Sequence, residues 1–176
     1  YAVISYRTAY LKAHYKVEFL AAVLSSDMDN TDKVWLFIAD ARNLGITVLP
    51  PDLRFSKNEF VVEDGAIRYG LGAIKGLGEN INLALVKERE AGGEYSNLLD
   101  LIMRLSHAKI NKRTLEALIN SYALDYWQID RAHLLLSIPS AISRADKISQ
   151  DKNTGQNNLF GVKECSDNTF HYVTSS

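Results

Sequence analysis

Three absences narrow this 176-residue chain before any motif is read. There is one cysteine, Cys165, which excludes an internal disulfide and any zinc site built on cysteines, and suits a reducing, cytoplasmic setting. No apolar run approaches the roughly 18 residues of a membrane span, and no signal-peptide pattern opens the chain, so no membrane partner is expected. Charge of either sign is not in excess. The 20 Lys and Arg against 21 Asp and Glu leave a net charge of −1, and the chain as a whole carries no electrostatic signature of nucleic-acid binding. The three prolines, Pro50, Pro51 and Pro139, leave long stretches open to helix.

Metal patterns are also missing. Asp27, Asp29 and Asp32 crowd together, but the glycine and closing glutamate of an EF-hand are absent, and they read as helix-capping and solvated positions. His14, His107, His133 and His171 are scattered, and Cys165 stands in no catalytic signature. No cofactor is expected in this chain. It starts at Tyr1 without an initiator Met, already inside an apolar-periodic segment, and reads as a piece of something larger.

What is present is 47% hydrophobic content, enough for one good core or two small ones, and mostly at helical spacing. Ala2, Ile4, Ala9 and Leu11 mark a first helix, and Val17 to Met28 a second. Asn30 or Thr31 caps a third, Asp32 to Leu44, with Val34, Ile38 and Leu44 inward and Gly45 as its stop. The period then changes. Ile46 to Asp52 is extended, since Pro50 biases Leu49 away from helix. Phe60-Val61-Val62, Asp64-Gly65 and Ala66 to Tyr69 form a β-hairpin with an Asp-Gly turn.

The segment AIRYGLGAIKGLGE, Ala66 to Glu79, carries the most information. Apolar Leu71 and Ile74 run into Gly76-Leu77-Gly78, and a second apolar helix follows with Leu85 and Val86. This is a helix-hairpin-helix pattern. The glycines permit a reversal that a Cβ would obstruct, and they leave bare N–H groups where the helix dipole favours an anion such as a phosphate. A plain αα-hairpin turn or a C-cap glycine would leave the same letters.

The flanks repeat the idea. Ser96 caps a helix through Leu105 with Asp100 in its first turn, and Asn111 precedes another, Arg113 to Ser121. Lys109-Ile110-Asn111 stands where the first pair has Gly-Leu-Gly, as a second copy without the glycines. From Arg68 to Arg113 eight basic residues face five acidic ones, a mild local excess that a solvated helical face also produces. Asp130 to Ile148 is a further helix that Pro139 must kink or split. After Ser149 the composition turns polar, as in a linker, and Gln156-Asn157-Asn158-Leu159-Phe160 sets two large apolar residues in a polar tail, to fold back or to dock on a partner.

The blocks ISYRTAYLKAHYKVEFLAAVLSSDMDNTDKV (Ile4 to Val34), LGITVLPPD (Leu44 to Asp52), AIRYGLGAIKGLGE, KINKRTLEALI (Lys109 to Ile119) and GQNNLFGV (Gly155 to Val162) together resemble the alpha subunits of bacterial DNA polymerase III, the family C replicative polymerases. The resemblance implies a mainly α fold with a small β-hairpin: the distal end of the fingers over 1–50, a tandem helix-hairpin-helix domain over 51–148 with the β-hairpin at 59–70, and a flexible linker and tail over 149–176. It further implies a non-catalytic portion of a DNA-directed polymerase, holding double-stranded DNA by its backbone, docking on the sliding clamp and meeting other replicase subunits through its parent. Carried over by position, Lys75, Gly76, Leu77, Gly78 and Asn80 form the first DNA contact, and Lys109, Asn111, Lys112 and Arg113 the second. Gln156, Leu159 and Phe160 match the clamp-binding peptide, its Leu and Phe as pocket anchors.

The palm carboxylates that hold two metal ions in such polymerases are absent from this stretch, so it is expected to be inactive alone, with Mg2+ belonging to the parent. The chain departs from the family at three places. Asn82 stands where a small alanine usually packs the two helices of the first pair, Tyr122 replaces a glycine, and Pro139 interrupts a helix normally continuous. Beyond Val162 the tail does not follow the family. Two other readings fit parts of the pattern: a structural spacer whose only interaction is with the clamp, and a helix-hairpin-helix glycosylase or nuclease, for which no general base is paired with a suitable lysine or aspartate.

Overall fold

Asn30 and Asn111 each do what their position in the sequence suggests, accepting a hydrogen bond from the N–H of the residue three places on, at 3.2 Å (Lys33) and 2.9 Å (Thr114). The helices they start are part of a fold obtained as a computed structural model and described over residues 2–153. The α-helices are α1 (Ala2–His14), α2 (Lys16–Ser26), α3 (Thr31–Asn43), α4 (Glu79–Gly92), α5 (Leu98–Arg104), α6 (Lys112–Asn120) and α7 (Arg131–Asn153). Between α3 and α4 lie strands β1 (Val48–Leu49), β2 (Val61–Glu63) and β3 (Ala66–Arg68). The fold is therefore mainly α, and none of the described helices is long and apolar enough to cross a membrane.

The Asp-Gly hairpin forms as expected, with Asp64 and Gly65 at φ 50° and 77° and Val62 opposite Ile67. β3 is also paired on its other side, in parallel with β1, Val48 opposite Ile67 and Leu49 opposite Arg68, which gives the order β1-β3-β2.

Two cores result. One is filled by Leu20, Leu24, Val34, Ile38, Ile46, Phe60 and Ile67, from α2, α3 and the sheet. The other draws Leu53, Leu71 and Ile74 together with Leu85, Leu101, Leu115, Leu118, Leu134 and Ile138, from α4 to α7. Tyr69 packs against both. The loop 50–58 ties them: Leu53 N–H donates to Ala123 C=O (2.9 Å), and the Arg89 guanidinium of α4 donates to the carbonyls of Leu53 and Ser56 (both 2.7 Å). Buried Ser56 donates to Tyr69 C=O at 2.9 Å and accepts from Asp52 N–H at 3.0 Å. Burial raises the Asp52 carboxyl, but the bonds from Arg54 and the charges of Arg54 and Arg68 outweigh it and hold the group below its usual range.

Four expectations are corrected. Leu44 faces outward, because it is the residue on which the chain leaves α3 rather than part of its inner stripe. Asn97, not Ser96, caps α5, accepting from Asp100 N–H at 2.9 Å, while the Asp100 carboxylate accepts from Ser96 N–H at 3.0 Å. Pro139 does not split α7. The lost helix bond and ring clash cost about 3 kcal/mol, whereas burying Leu134 and Ile138 supplies about 3–6 kcal/mol, with Ala141 and Ala145 buried on the same side. The helix also runs to Asn153, past the Ser149 at which a linker is expected. Gln156, Leu159, Phe160, Cys165 and His171 lie outside the described residues.

Candidate nucleic-acid interface

The first hairpin is built on one helix and one turn. Where a leading helix is expected, Leu71–Ala73 forms only a single 3-10 turn, because the chain stays extended past the end of β3 at Arg68 as far as Gly70 (φ −78°, ψ 140°) and leaves few residues before the reversal. A Cβ on Gly70 or Gly72 would come within 2.7–2.9 Å of the backbone at residues 58–60, so this segment lies flat against that loop. Leu77 N–H then closes the reversal on Ile74 C=O at 3.2 Å, and Gly76 adopts φ +100°.

Gly78 is the N-cap of α4, with no side chain to satisfy the helix end. Its carbonyl accepts from Ile81 and Asn82, both at 3.0 Å. The N–H groups of Gly78, Glu79 and Asn80 take no acceptor among the described residues. Lys75, Gly76, Gly78, Glu79 and Asn80 are exposed and Leu77 is half-buried. A Cβ on Gly78 would meet nothing within 4 Å, so the space over this helix end is open. Glu79, the acid in the first turn, is the one residue there that opposes an anion.

The second hairpin repeats this geometry with other residues. Lys109 takes the left-handed conformation (φ 52°, ψ 49°) in the place of Gly76, Ile110 is half-buried like Leu77, and Asn111 caps α6 (φ −120°, ψ 170°) where Gly78 caps α4 (φ −88°, ψ 150°). Leu115 corresponds to Asn82 and Leu118 to Leu85, all fully buried. Here the cap is filled: Asn111 Oδ1 accepts from the Thr114 N–H (2.9 Å) and hydroxyl (3.1 Å). Lys109, Lys112 and Arg113 are exposed. Lys112 Nζ lies 3.7 Å from Glu116, while Arg113 has no ion pair among the described residues.

The two hairpins adjoin. A Cβ on Gly76 would lie 3.4 Å from the Cβ of Ala117, which shares a face of α6 with Arg113 one turn earlier. The structure thus brings Lys75 to Asn80 beside the helix that carries Lys112 and Arg113.

At the other end of α4 is a polar hub around the buried Tyr95 that the sequence did not reveal. Arg104 donates to the carbonyls of Glu88, Gly93 and Glu94 and lies 4.3 Å over the Tyr95 ring. Tyr95 in turn donates to Leu85 C=O at 2.8 Å, and its own carbonyl accepts from Tyr126 Oη (3.0 Å) and Trp127 Nε1 (2.7 Å). Burial pushes the Tyr95 phenol up to about 12 and raises Tyr126 as well. These hydrogen bonds span 10 to 32 residues, so no local signal announces them. Among the described residues no group of three or more His, Cys, Asp or Glu is placed to hold a metal ion.

Residues 45–134 match the family model described as a helix-hairpin-helix motif. The chain is similar to the DNA polymerase III subunit alpha of Xylella fastidiosa (strain Temecula1), 49% identical over 162 residues. It is also similar to those of Vibrio cholerae and Escherichia coli K12, each 44% identical over 163 residues. In all three the match covers 92% of this chain and 14% of the relative, so the chain spans about one-seventh of the length of these curated relatives. With two hairpins in the matched region, the chain belongs to the helix-hairpin-helix family, and along nearly its whole length it is similar to one stretch of the DNA polymerase III alpha subunits.

Proposed function

We propose that the paired hairpins hold duplex DNA by its phosphates, and that the segment Gln156 to Phe160 docks on the sliding clamp, as a non-catalytic portion of a replicative polymerase. The observation that carries the DNA reading is the contact between the two hairpins: the Gly76 turn, which leads into the bare N–H groups at Gly78 to Asn80, meets Ala117 on α6, one turn along that helix from Arg113. The first hairpin offers oriented amides with Lys75, and the second offers side-chain cations, Lys109, Lys112 and Arg113. Both kinds of contact address phosphate and neither reads a base. Metal-dependent nucleotidyl transfer and contacts with other replicase subunits belong, in this reading, to the longer polymerase.

With about three to five phosphates engaged, raising salt from about 50 to 200 mM weakens binding about 40- to 500-fold. The test is fluorescence anisotropy of labelled duplex titrated with the chain and with a Lys112→Glu, Arg113→Glu variant. Loss of binding in the variant supports the reading, and absence of wild-type binding at low salt sinks it. The clamp arm uses purified sliding clamp with a Gln156→Ala, Phe160→Ala variant, which should no longer bind. A second reading, a spacer whose only interaction is with the clamp, is favoured by Glu79 at the α4 end and Glu116 beside Lys112. It requires the charge reversal on α6 to leave duplex behaviour unchanged.

A further inference from the structure

Asn82 departs from the small residue that a close-packed hairpin uses, yet it is fully buried. Its Nδ2 donates to Asn58 Oδ1 at 3.2 Å, and its own Oδ1, also buried, accepts no hydrogen bond from the described residues. A half-satisfied amide in a core is less stable than an apolar residue of the same shape. Leu115 fills the corresponding place in the second unit. Asn82 is thus poorly explained as filling.

Its partner explains it better. Asn58 is bonded to both arms of the first hairpin: its carbonyl accepts from Gly72 N–H in the 3-10 turn at 2.8 Å, and its side chain accepts from Asn82 on α4. Gly72 is cut to receive it, since a Cβ there would come 2.9 Å from the Asn58 carbonyl oxygen and 3.0 Å from Oδ1. Asn82 is in turn joined to the site, because its N–H donates to Gly78 C=O. That carbonyl shares a rigid peptide plane with the N–H of Glu79, so what fixes Asn82 fixes the direction of the exposed amide.

We propose that Asn58, inserted between Gly72 and Asn82, staples the two arms of the first hairpin in place of helix-against-helix packing, and that Asn58 and Asn82 are the positioning residues of its phosphate-facing amides. The first arm, a single 3-10 turn, is too short to be held by an apolar stripe of its own. The second unit has a full leading helix in α5 and needs no such device. The proposal rests on the DNA reading for its consequence, but the staple itself belongs to the free protein.

The experiment uses the whole chain as wild type, Asn58→Ala, Asn82→Ala and the double variant. Amide chemical shifts and order parameters of the free protein are read first. Each variant should move and loosen the amides of Lys75 to Asn80 while those of Lys109 to Arg113 stay as in the wild type. Duplex affinity should fall about fivefold in each single variant, the scale of one hydrogen bond. The double variant should be no weaker than the weaker single, because both remove the same bond. If Asn82→Ala does not fold, Asn58→Ala with Gly72→Ala takes its place, the latter displacing Asn58 without altering either amide. First-hairpin amides unmoved in the single variants, or losses that multiply in the double, overturn the staple. If the wild type binds no duplex at low salt, the DNA reading fails on that result alone, and the amide measurements still decide the staple.

Discussion

Gly76 of the first hairpin faces Ala117 of α6 so closely that a Cβ on the glycine would stand 3.4 Å from the alanine's Cβ, and the glycine itself sits at φ +100°. A side chain there would meet Ala117 at ordinary contact distance, so what constrains this residue is its positive φ. Gly76→Ala should destabilise the chain by about 1–2 kcal/mol from the left-handed backbone alone, lowering the melting temperature by about 2–4 °C per kcal/mol. Relaxing that strained φ should also shift the turn leading into the Gly78 to Asn80 amides, with a loss of duplex affinity beyond that of an equally destabilised core variant. Thermal melts paired with anisotropy titrations check both.

Gly78 offers the opposite case. Its backbone suits an ordinary N-cap and there is open space for a side chain. Gly78→Asp should raise helix stability by a few tenths of a kcal/mol, because the carboxylate caps α4. The same carboxylate occupies the amide end and repels phosphate, so duplex affinity should drop. A variant that melts higher and binds DNA as well as the wild type would show that this helix end is not used.

Tyr122 holds a left-handed conformation, φ 72°, that a bulky residue adopts at a cost, and its ring lies 4.1 Å from the Arg131 guanidinium carbon. Tyr122→Gly relieves about 1 kcal/mol of strain and should raise the melting temperature by about 2–4 °C. Tyr122→Phe keeps the strain and the stacked ring and should change little. A fall in the glycine variant would mean that the stacked pair outweighs the strain.

The alkaline limit of the fold should be set by its buried phenols, Tyr95 among them. Burial raises its pKa from the ordinary 10.0 to about 12, and Tyr69 and Tyr126 move the same way. The fold favours the protonated phenol. Its contribution to stability is therefore complete below about pH 10 and is lost as pH rises through about 12. Tyrosinate absorbance and far-UV circular dichroism should change together in that window. Tyr95→Phe removes the side-chain hydrogen bond to Leu85 C=O, costs about 1 kcal/mol at neutral pH, and flattens the alkaline transition.

Much of this fold is legible locally. Asn30 and Asn111 announce their helices because capping needs only the next three residues, and Asp64-Gly65 announces its hairpin because both residues tolerate positive φ. The parallel partner of β3 is hidden, since a two-residue strand paired 19 positions away has no period to read. The 3-10 turn at Leu71–Ala73 reads as helix by composition, and only the close approach of the 58–60 backbone to Gly70 and Gly72 explains its shortness. Pro139 misleads for the converse reason, as burial of its neighbours outweighs a local rule. The hairpin residues are visible as letters. The device that aims them, Asn58 against Asn82 across 24 residues, is not.

The bond from Leu53 N–H to Ala123 C=O joins residues seventy apart in the chain, and it has a consequence for how the molecule comes to exist. On a ribosome the loop that cradles α4 is made early, but its anchor does not emerge until α6 has been synthesised. The second hairpin is built from near neighbours and can form as soon as it is free. The loop must wait for it, so nascent chains ending short of Ala123 should carry α4 and its Asn58 contact on a loop not yet anchored to the second hairpin.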